Sequence, residues 1–195
     1  MTTQARKRLS TEARRAQLLD ATHELILEHG LNSFTMELLA RKAGVSNPLV
    51  YKYFNTRLEL LQSLLVREFN LFYGSLRKRL DSAEDFVDIV RIFVGINFDE
   101  HSNGKILPIL LSLSDVAKVI ANEGQQRQRE VAKILVDNIV NHYDVSRKDA
   151  RFMAKMASGA STAAAEHFSQ QGGNRKRTIE SAVEFILGAM ETYKK

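Results

Sequence analysis

Cysteine is absent from the 195-residue chain, which excludes both a disulfide framework and a metal site built on thiolates. Proline occurs only twice, as Pro48 and Pro108, so little in the sequence interrupts helices. Long apolar runs are missing too. The stretch over residues 106–111 is far shorter than a membrane span, and the basic N-terminus has no apolar segment of signal-peptide length after it. We therefore expect a soluble, cytoplasmic protein.

Helical periodicity is what the chain has in abundance. Apolar residues recur at intervals of three and four almost throughout, and strand-like alternation is missing from the sequence. This spacing predicts an all-α protein of about nine helices, with Thr35 and Ser46 as caps of the second and third. The predicted helices cover residues 11–28, 36–42, 47–54, 56–80, 83–101, 105–113, 115–143, 147–171 and 176–193.

The net charge of +5 is concentrated near the N-terminus. Residues 1–60 contain nine lysines and arginines against six acidic residues. Such a cluster is typical of proteins that bind a polyanion, and a solvated basic tail is the alternative.

Residues 30–61 have the features of a helix-turn-helix. Two short helices flank a tight turn at residues 43–46, and the small side chains of Ala40 and Ala43 allow the helices to approach closely. Four side chains are left for the surface: Asn47, Tyr51, Lys52 and Tyr53. Aromatic residues beside a lysine on a capped helix suit contacts with the DNA major groove and phosphates. A purely structural αα-corner is the alternative.

A longer set of residues stands at fixed spacing in and around this segment: Leu18-Leu19-Asp20-Ala21, Leu25, Gly30, Phe34-Thr35, Leu39-Ala40, Ala43-Gly44-Val45-Ser46, Tyr51, Phe54, Arg57 and Leu60-Leu61. In this register the chain resembles the TetR family of transcriptional repressors over about residues 10–62. It departs from the family pattern at Leu38, Pro48, Tyr53 and Arg57. Arg57 keeps the positive charge of the usual lysine, whereas Pro48 disfavours helical backbone at the residue before it.

The resemblance implies a repressor that leaves a palindromic operator when a small apolar or amphipathic effector binds. Its implied DNA-binding residues are Thr35, Ser46, Asn47, Pro48, Tyr51, Lys52, Tyr53 and Arg57. Thr35 and Arg57 are expected at phosphates, and Lys52 at base edges or the groove wall. Arg6 to Arg8 are expected at the DNA backbone or in the minor groove. A constitutive dimeric DNA-binding protein without an effector is the alternative.

The domain organisation that we expect has three parts. Residues 1–9 form a basic, disordered arm, residues 10–58 the DNA-binding domain, and residues 59–195 a helical domain for effector binding and dimerisation. The fourth helix continues across the boundary and joins the two domains rigidly.

The last two predicted helices carry the expected interface of a two-fold homodimer. Apolar residues form one stripe on the final helix, and small residues crowd the helix before it. The predicted dimerisation residues are Ala157, Ala160, Ala164, Ile179, Val183, Ile186 and Met190. A second stripe on the final helix consists of Ala182, Phe185 and Ala189. The alternative is that both helices are buried inside one subunit.

An effector pocket is expected among the helices that follow the helix-turn-helix. Five of the ten phenylalanines fall between residues 69 and 98, and an aromatic lining suits a hydrophobic ligand. The predicted lining residues are Phe69, Phe72, Phe93, Asn97, Leu110 and Asn138. A packed core is the alternative, and the family resemblance favours the pocket.

Signs of catalysis are missing from the sequence. It contains none of the common nucleophile, phosphate-loop, metalloprotease or dinucleotide motifs. The five histidines are never three or four residues apart, so no helical metal pair is expected. The trio Asp99-Glu100-His101 is interpreted as a solvated helix end. We expect no enzyme activity, metal or cofactor.

Overall fold

The computed structural model describes residues 9–101 and 105–193, and within these ranges the chain is helical with no strand. Nine helices are longer than a single turn, as the periodicity predicts, and α7 is one turn. None of the helices described is long and apolar enough to cross a membrane. The helices are α1 (Thr11–His29), α2 (Met36–Ala43), α3 (Asn47–Tyr53), α4 (Arg57–Asp81), α5 (Phe86–His101), α6 (Ile106–Leu111), α7 (Ser114–Ala117), α8 (Ala121–Tyr143), α9 (Arg147–Gln171) and α10 (Arg175–Glu191).

The chain forms two compact units, and the boundaries between them differ from the predicted boundary at residue 58. The N-terminal unit contains residues up to 68 together with 106–119, and the C-terminal unit contains 69–105 and 120–195. The first turns of α4 stay in the N-terminal unit because Leu60 and Leu64 are completely buried there. The segment 106–119 joins the same unit because α6 packs on α1.

A single helix over residues 115–143 is a wrong prediction. The structure has α7, a 3₁₀ turn over Lys118–Ile120 and then α8. The chain leaves the N-terminal unit and enters the C-terminal unit at this break. Val116 and Ile120 are buried on either side of it, and periodicity cannot detect such a break because both residues fit one helical pattern.

The core of the C-terminal unit is built around α5, which packs against α8, α9 and α10. Its apolar face is completely or nearly completely buried, and α10 supplies the facing side chains. All four α10 residues assigned to the dimer are 7% exposed or less and belong to the protomer's own core: Ile179, Val183, Ile186 and Met190. This corrects the interface prediction for Ile179 and Val183, whereas Ile186 and Met190 also line a groove on the surface of α9 and α10.

Candidate DNA-binding surface and ligand cavity

The helix-turn-helix is closed by a left-handed glycine. Gly44 ends α2 with φ 65° and ψ 38°, a conformation that glycine adopts without the steric cost of a side chain. The amide of the next residue, Val45, donates to the carbonyl of Ala40 at 3.0 Å. This turn reverses the chain within four residues and sets the direction in which α3 leaves.

The recognition helix α3 buries one side and exposes the other. Val50 is completely buried, and Phe54, the residue that caps the helix, is also completely buried. The opposite side carries the predicted DNA-binding residues: Ser46, Pro48, Tyr51 and Lys52 are exposed, and Asn47 and Tyr53 are half-buried. The structure therefore gathers these six predicted residues on one short element, with the amphipathic split that groove binding needs.

Two side chains of α1 hold the helix-turn-helix in place. Arg15 Nη1 donates to the carbonyl of Tyr53 at 2.6 Å, and its guanidinium lies 4.2 Å from the centre of the Phe54 ring. Gln17 Nε2 donates to the carbonyl of Ala43 at 3.3 Å. In the sequence, Arg15 is indicated only as one of the basic residues near the N-terminus. Its contact spans 38 residues, so no local spacing could have revealed it.

The predicted caps differ from each other. The Thr35 hydroxyl accepts a hydrogen bond from the Leu38 amide at 3.1 Å, as a helix cap should. Ser46 stands at the N-cap of α3, but its side chain makes no capping hydrogen bond. Both residues are exposed, so Thr35 serves its helix while the Ser46 hydroxyl is not used for capping.

Arg57 stands at the first position of α4, as predicted, and its side chain turns toward the preceding loop. Nη2 donates to the carbonyl of Leu31 at 3.0 Å, and Nε donates to that of Phe34 at 3.3 Å. The guanidinium also lies 5.7 Å from the centre of the Phe34 ring. Arg57 is exposed, so it anchors the loop before α2 while its charge remains at the surface.

Asn47 is hydrogen-bonded to an acidic residue of α2 that was not among the predicted site residues. Its Nδ2 donates to Glu37 Oε1 at 3.4 Å, and its Oδ1 is buried without a hydrogen-bond partner in the described part of the chain. The pKa of Glu37 is lowered, mostly by a hydrogen bond from its own backbone amide and then by the Thr35 side chain. A carboxylate thus lies beside the start of the recognition helix.

The C-terminal unit contains a cavity of about 450 Å³. Its wall is formed by α4, α5, α8, α9 and α10, and is mostly aliphatic and aromatic. Three of the six predicted lining residues, Phe72, Phe93 and Asn97, do line it. Much of the wall was not predicted from the sequence, including Tyr73, Leu76, Val90, Val94, Leu135, Val136, Arg151 and Lys155.

Three predicted lining residues lie elsewhere. Leu110 is completely buried in the N-terminal unit, since α6 packs on α1. Phe69 is buried against Tyr73, with its ring centre 4.6 Å from the tyrosine ring centre. The Asn138 amide donates to the carbonyl of Ile134 in its own helix. Sequence spacing indicates a shared helix face, but it does not indicate which other elements face it.

A second apolar surface of this unit is open to solvent on α9 and α10. Phe152, Met156 and Phe185 are 53%, 61% and 69% exposed, which is unusual for such large apolar side chains. They border a groove with the small residues Gly159, Ala160 and Ala189. Of the small residues assigned to dimerisation, Ala157 and Ala160 line this groove, while Ala164 is half-buried against the core.

Metal-binding clusters of His, Cys, Asp and Glu do not occur among the residues that the structure describes. The predicted basic arm, Arg6 to Arg8, lies outside the described residues, and so do the side chains of Glu100 and His101. Their expected roles stay predictions.

Known proteins resemble this chain most clearly in the helix-turn-helix. The sequence model of the family described as "Bacterial regulatory proteins, tetR family" matches residues 18–64. The HTH-type transcriptional regulator BetI of Stenotrophomonas maltophilia is 31% identical over 156 residues, which are 75% of this chain and 78% of BetI.

The HTH-type transcriptional activator FasR of Mycolicibacterium smegmatis is 34% identical over 98 residues, 49% of this chain and 45% of FasR. The chain thus spans about half the length of this relative and of others that it matches. The crystal structure of a transcriptional regulator from Saccharomonospora viridis in complex with choline superposes with a TM-score of 0.65, covering 92% of this chain and 96% of that one at 14% identity. At this identity the likeness shows the fold alone.

Proposed function

The chain belongs to the TetR family of bacterial regulatory proteins, and we propose that it is a homodimeric transcriptional repressor that leaves a palindromic operator when a small effector binds. Membership in a family of regulatory proteins agrees with the prediction that the chain is not an enzyme. The observation that carries the proposal is the recognition helix, which holds Tyr51 and Lys52 exposed above a buried Val50.

DNA binding is supported by the chemistry of this exposed side. Lys52 offers a mobile cation to phosphates or to guanine edges, and Tyr51 offers a ring to a thymine methyl and a hydroxyl to a phosphate. Arg15 on α1 donates to the carbonyl of Tyr53 at the end of α3, so little conformational freedom is lost when α3 enters the groove.

Selection of binding sites from random double-stranded DNA tests this part of the proposal. We expect an enriched palindrome with half-site centres about 34–36 Å apart or a little more, bound with a strong dependence on salt concentration. K52Q should weaken binding and reduce the salt dependence. K42Q is the matched control, because Lys42 is on α2 and pairs with Glu24 and Glu28. Salt-independent binding, or equal loss in both variants, contradicts the assignment.

The homodimer is proposed on a corrected surface. The α9–α10 groove bordered by Phe152, Met156 and Phe185 is apolar and exposed in one protomer, and a two-fold axis would bring two copies of it together. Small residues beside it permit close packing of helices from both copies. The dimer thus uses the stripe of Phe185 and Ala189 rather than that of Ile179 and Val183.

Sedimentation of two charge variants tests the dimer. F185E should dissociate it at micromolar concentration, because the glutamate would be buried without a partner. L71E is the control, since Leu71 is 61% exposed but does not border this groove. A monomeric wild type, or a dimeric F185E variant, contradicts the proposed interface.

The effector part of the proposal depends on the cavity. A volume of about 450 Å³ lies within the range of small-molecule sites, about 300–1,000 Å³, and its wall is largely apolar. A ligand that binds one arrangement of the dimer better would shift the population away from the DNA-binding arrangement, by no more than its difference in affinity. If no ligand changes operator affinity, the constitutive alternative replaces this part.

A further inference from the structure

Two cations border a largely apolar cavity in the C-terminal unit. Arg151 and Lys155 stand four residues apart on α9, and both are among the lining residues. Both side chains are exposed at the edge of the cavity. Residues four apart lie on one face of a helix, so the two positive charges lie side by side.

Neither cation has an anionic partner in the part of the chain that the structure describes. Over residues 9–101 and 105–193 no ion pair involves Arg151 or Lys155, and no aspartate or glutamate lines the cavity. Arg147, one turn earlier on α9, is paired with Asp137 at 2.6 Å. Two like charges at this spacing repel each other, and an anion bound between them would relieve this repulsion.

The rest of the cavity wall suits a hydrocarbon. Phe72, Phe93, Leu135 and Val136 contribute apolar surface. The buried Ser161 hydroxyl donates to the carbonyl of Val94 at 3.5 Å. The other polar lining residues are uncharged, among them Asn97, Gln128 and Ser158, so Arg151 and Lys155 supply all the formal charge of the lining.

We propose that the effector is an anionic amphiphile with a single hydrocarbon chain and a carboxylate head. Its tail occupies the apolar cavity, and its carboxylate binds the guanidinium of Arg151 and the ammonium of Lys155 in charge-assisted hydrogen bonds. This inference rests on the proposed effector site and adds the sign of the ligand's charge. It runs against a quaternary ammonium ligand such as choline, which the Saccharomonospora viridis protein binds, because two unpaired cations repel a third.

Calorimetric titration of the full-length protein with three ligands of equal tail tests the charge. The ligands are decanoate, 1-decanol and decyltrimethylammonium, each below its solubility limit and micelle concentration. Decanoate should bind at least about tenfold more tightly than the ammonium ligand. R151Q and K155Q should each weaken decanoate binding by about tenfold and leave 1-decanol binding unchanged. K148Q is the control, since Lys148 is exposed on the same helix and does not line the cavity.

The outcomes separate this inference from the proposed function. Equal binding of decanoate and decyltrimethylammonium, or decanoate binding that survives both substitutions, overturns the anionic ligand and leaves an apolar effector standing. Failure of all three ligands to bind overturns the effector site itself. Lys155 also borders the proposed dimer groove, so R151Q, which does not, decides the matter if K155Q also changes the sedimentation coefficient.

Discussion

The two units of the chain are both helical, but they differ in how their apolar side chains are packed. The N-terminal unit buries Leu18, Leu39 and Phe54 completely and adds polar contacts between residues far apart in sequence. The C-terminal unit packs α5 against three other helices, yet leaves a cavity and an exposed apolar groove. A filled interior holds surface residues in one arrangement, whereas unfilled apolar surface is available to a ligand or a second copy.

Truncating one phenylalanine in each unit should give the largest difference in stability between the two units. Phe54 is completely buried beneath Arg15, so F54A should lower the free energy of unfolding by about 3–5 kcal/mol. Phe93 is half-buried and borders an existing cavity, so F93A loses fewer contacts and should cost about 1–2 kcal/mol. Urea unfolding measures both. Equal losses would mean that the cavity is filled in solution.

High pH should destabilise the C-terminal unit through Tyr143. Burial, and then the carboxylate of Glu191, raise the pKa of Tyr143 from its ordinary value of 10.0 to about 12. Between these values the unfolded chain has lost the phenol proton and the folded chain keeps it. Stability is therefore intact below pH 10 and falls by about 2–3 kcal/mol as the pH approaches 12.

The variant Y143F isolates this effect. It removes the titrating group, so the difference in unfolding free energy between wild type and Y143F should change over this pH range and stay constant below pH 9–10. A difference that does not change with pH contradicts the raised pKa.

The polar anchors of the helix-turn-helix should give the next effect. R15Q removes the hydrogen bond to the Tyr53 carbonyl and the contact with the Phe54 ring, and should cost about 1–2 kcal/mol. K42Q serves as the control. Although Glu28 and then Glu24 raise the pKa of Lys42 by hydrogen bonding, these are surface pairs in solvent and their loss should change stability little. If thermal unfolding shows a larger loss of stability in K42Q than in R15Q, the anchoring role of Arg15 is refuted.

Substitutions at the two helix caps should have the smallest effects on stability. They also distinguish most clearly between an effect on stability and an effect on operator affinity. T35A removes the hydrogen bond to the Leu38 amide and should cost about 1 kcal/mol. S46A removes no capping bond and should change stability by only a few tenths of a kcal/mol. If Ser46 binds DNA as predicted, S46A lowers operator affinity without this loss. A stability loss in S46A equal to that in T35A would show that Ser46 caps its helix in solution.

Prediction from the sequence succeeded where contacts are local. The Ala-Gly-Val-Ser turn, the Thr35 cap and the exposed side of α3 depend on residues a few positions apart, and all were predictable from spacing. It failed where several helices compete for one apolar face. Ile179 and Phe185 lie on neighbouring stripes of α10, and nothing in their spacing tells which stripe meets the core.

The amino-acid sequence by itself therefore determined most of the helices, the helix-turn-helix and the side chains exposed on α3, because hydrophobic period and capping act within one or two turns. Only the tertiary structure decided that Ile179 is core and Phe185 is surface, that Leu110 belongs to the N-terminal unit, and that Arg151 and Lys155 border a cavity. Those facts depend on which distant helices pack together, and the free energy of that packing is shared among many residues rather than carried by any local pattern.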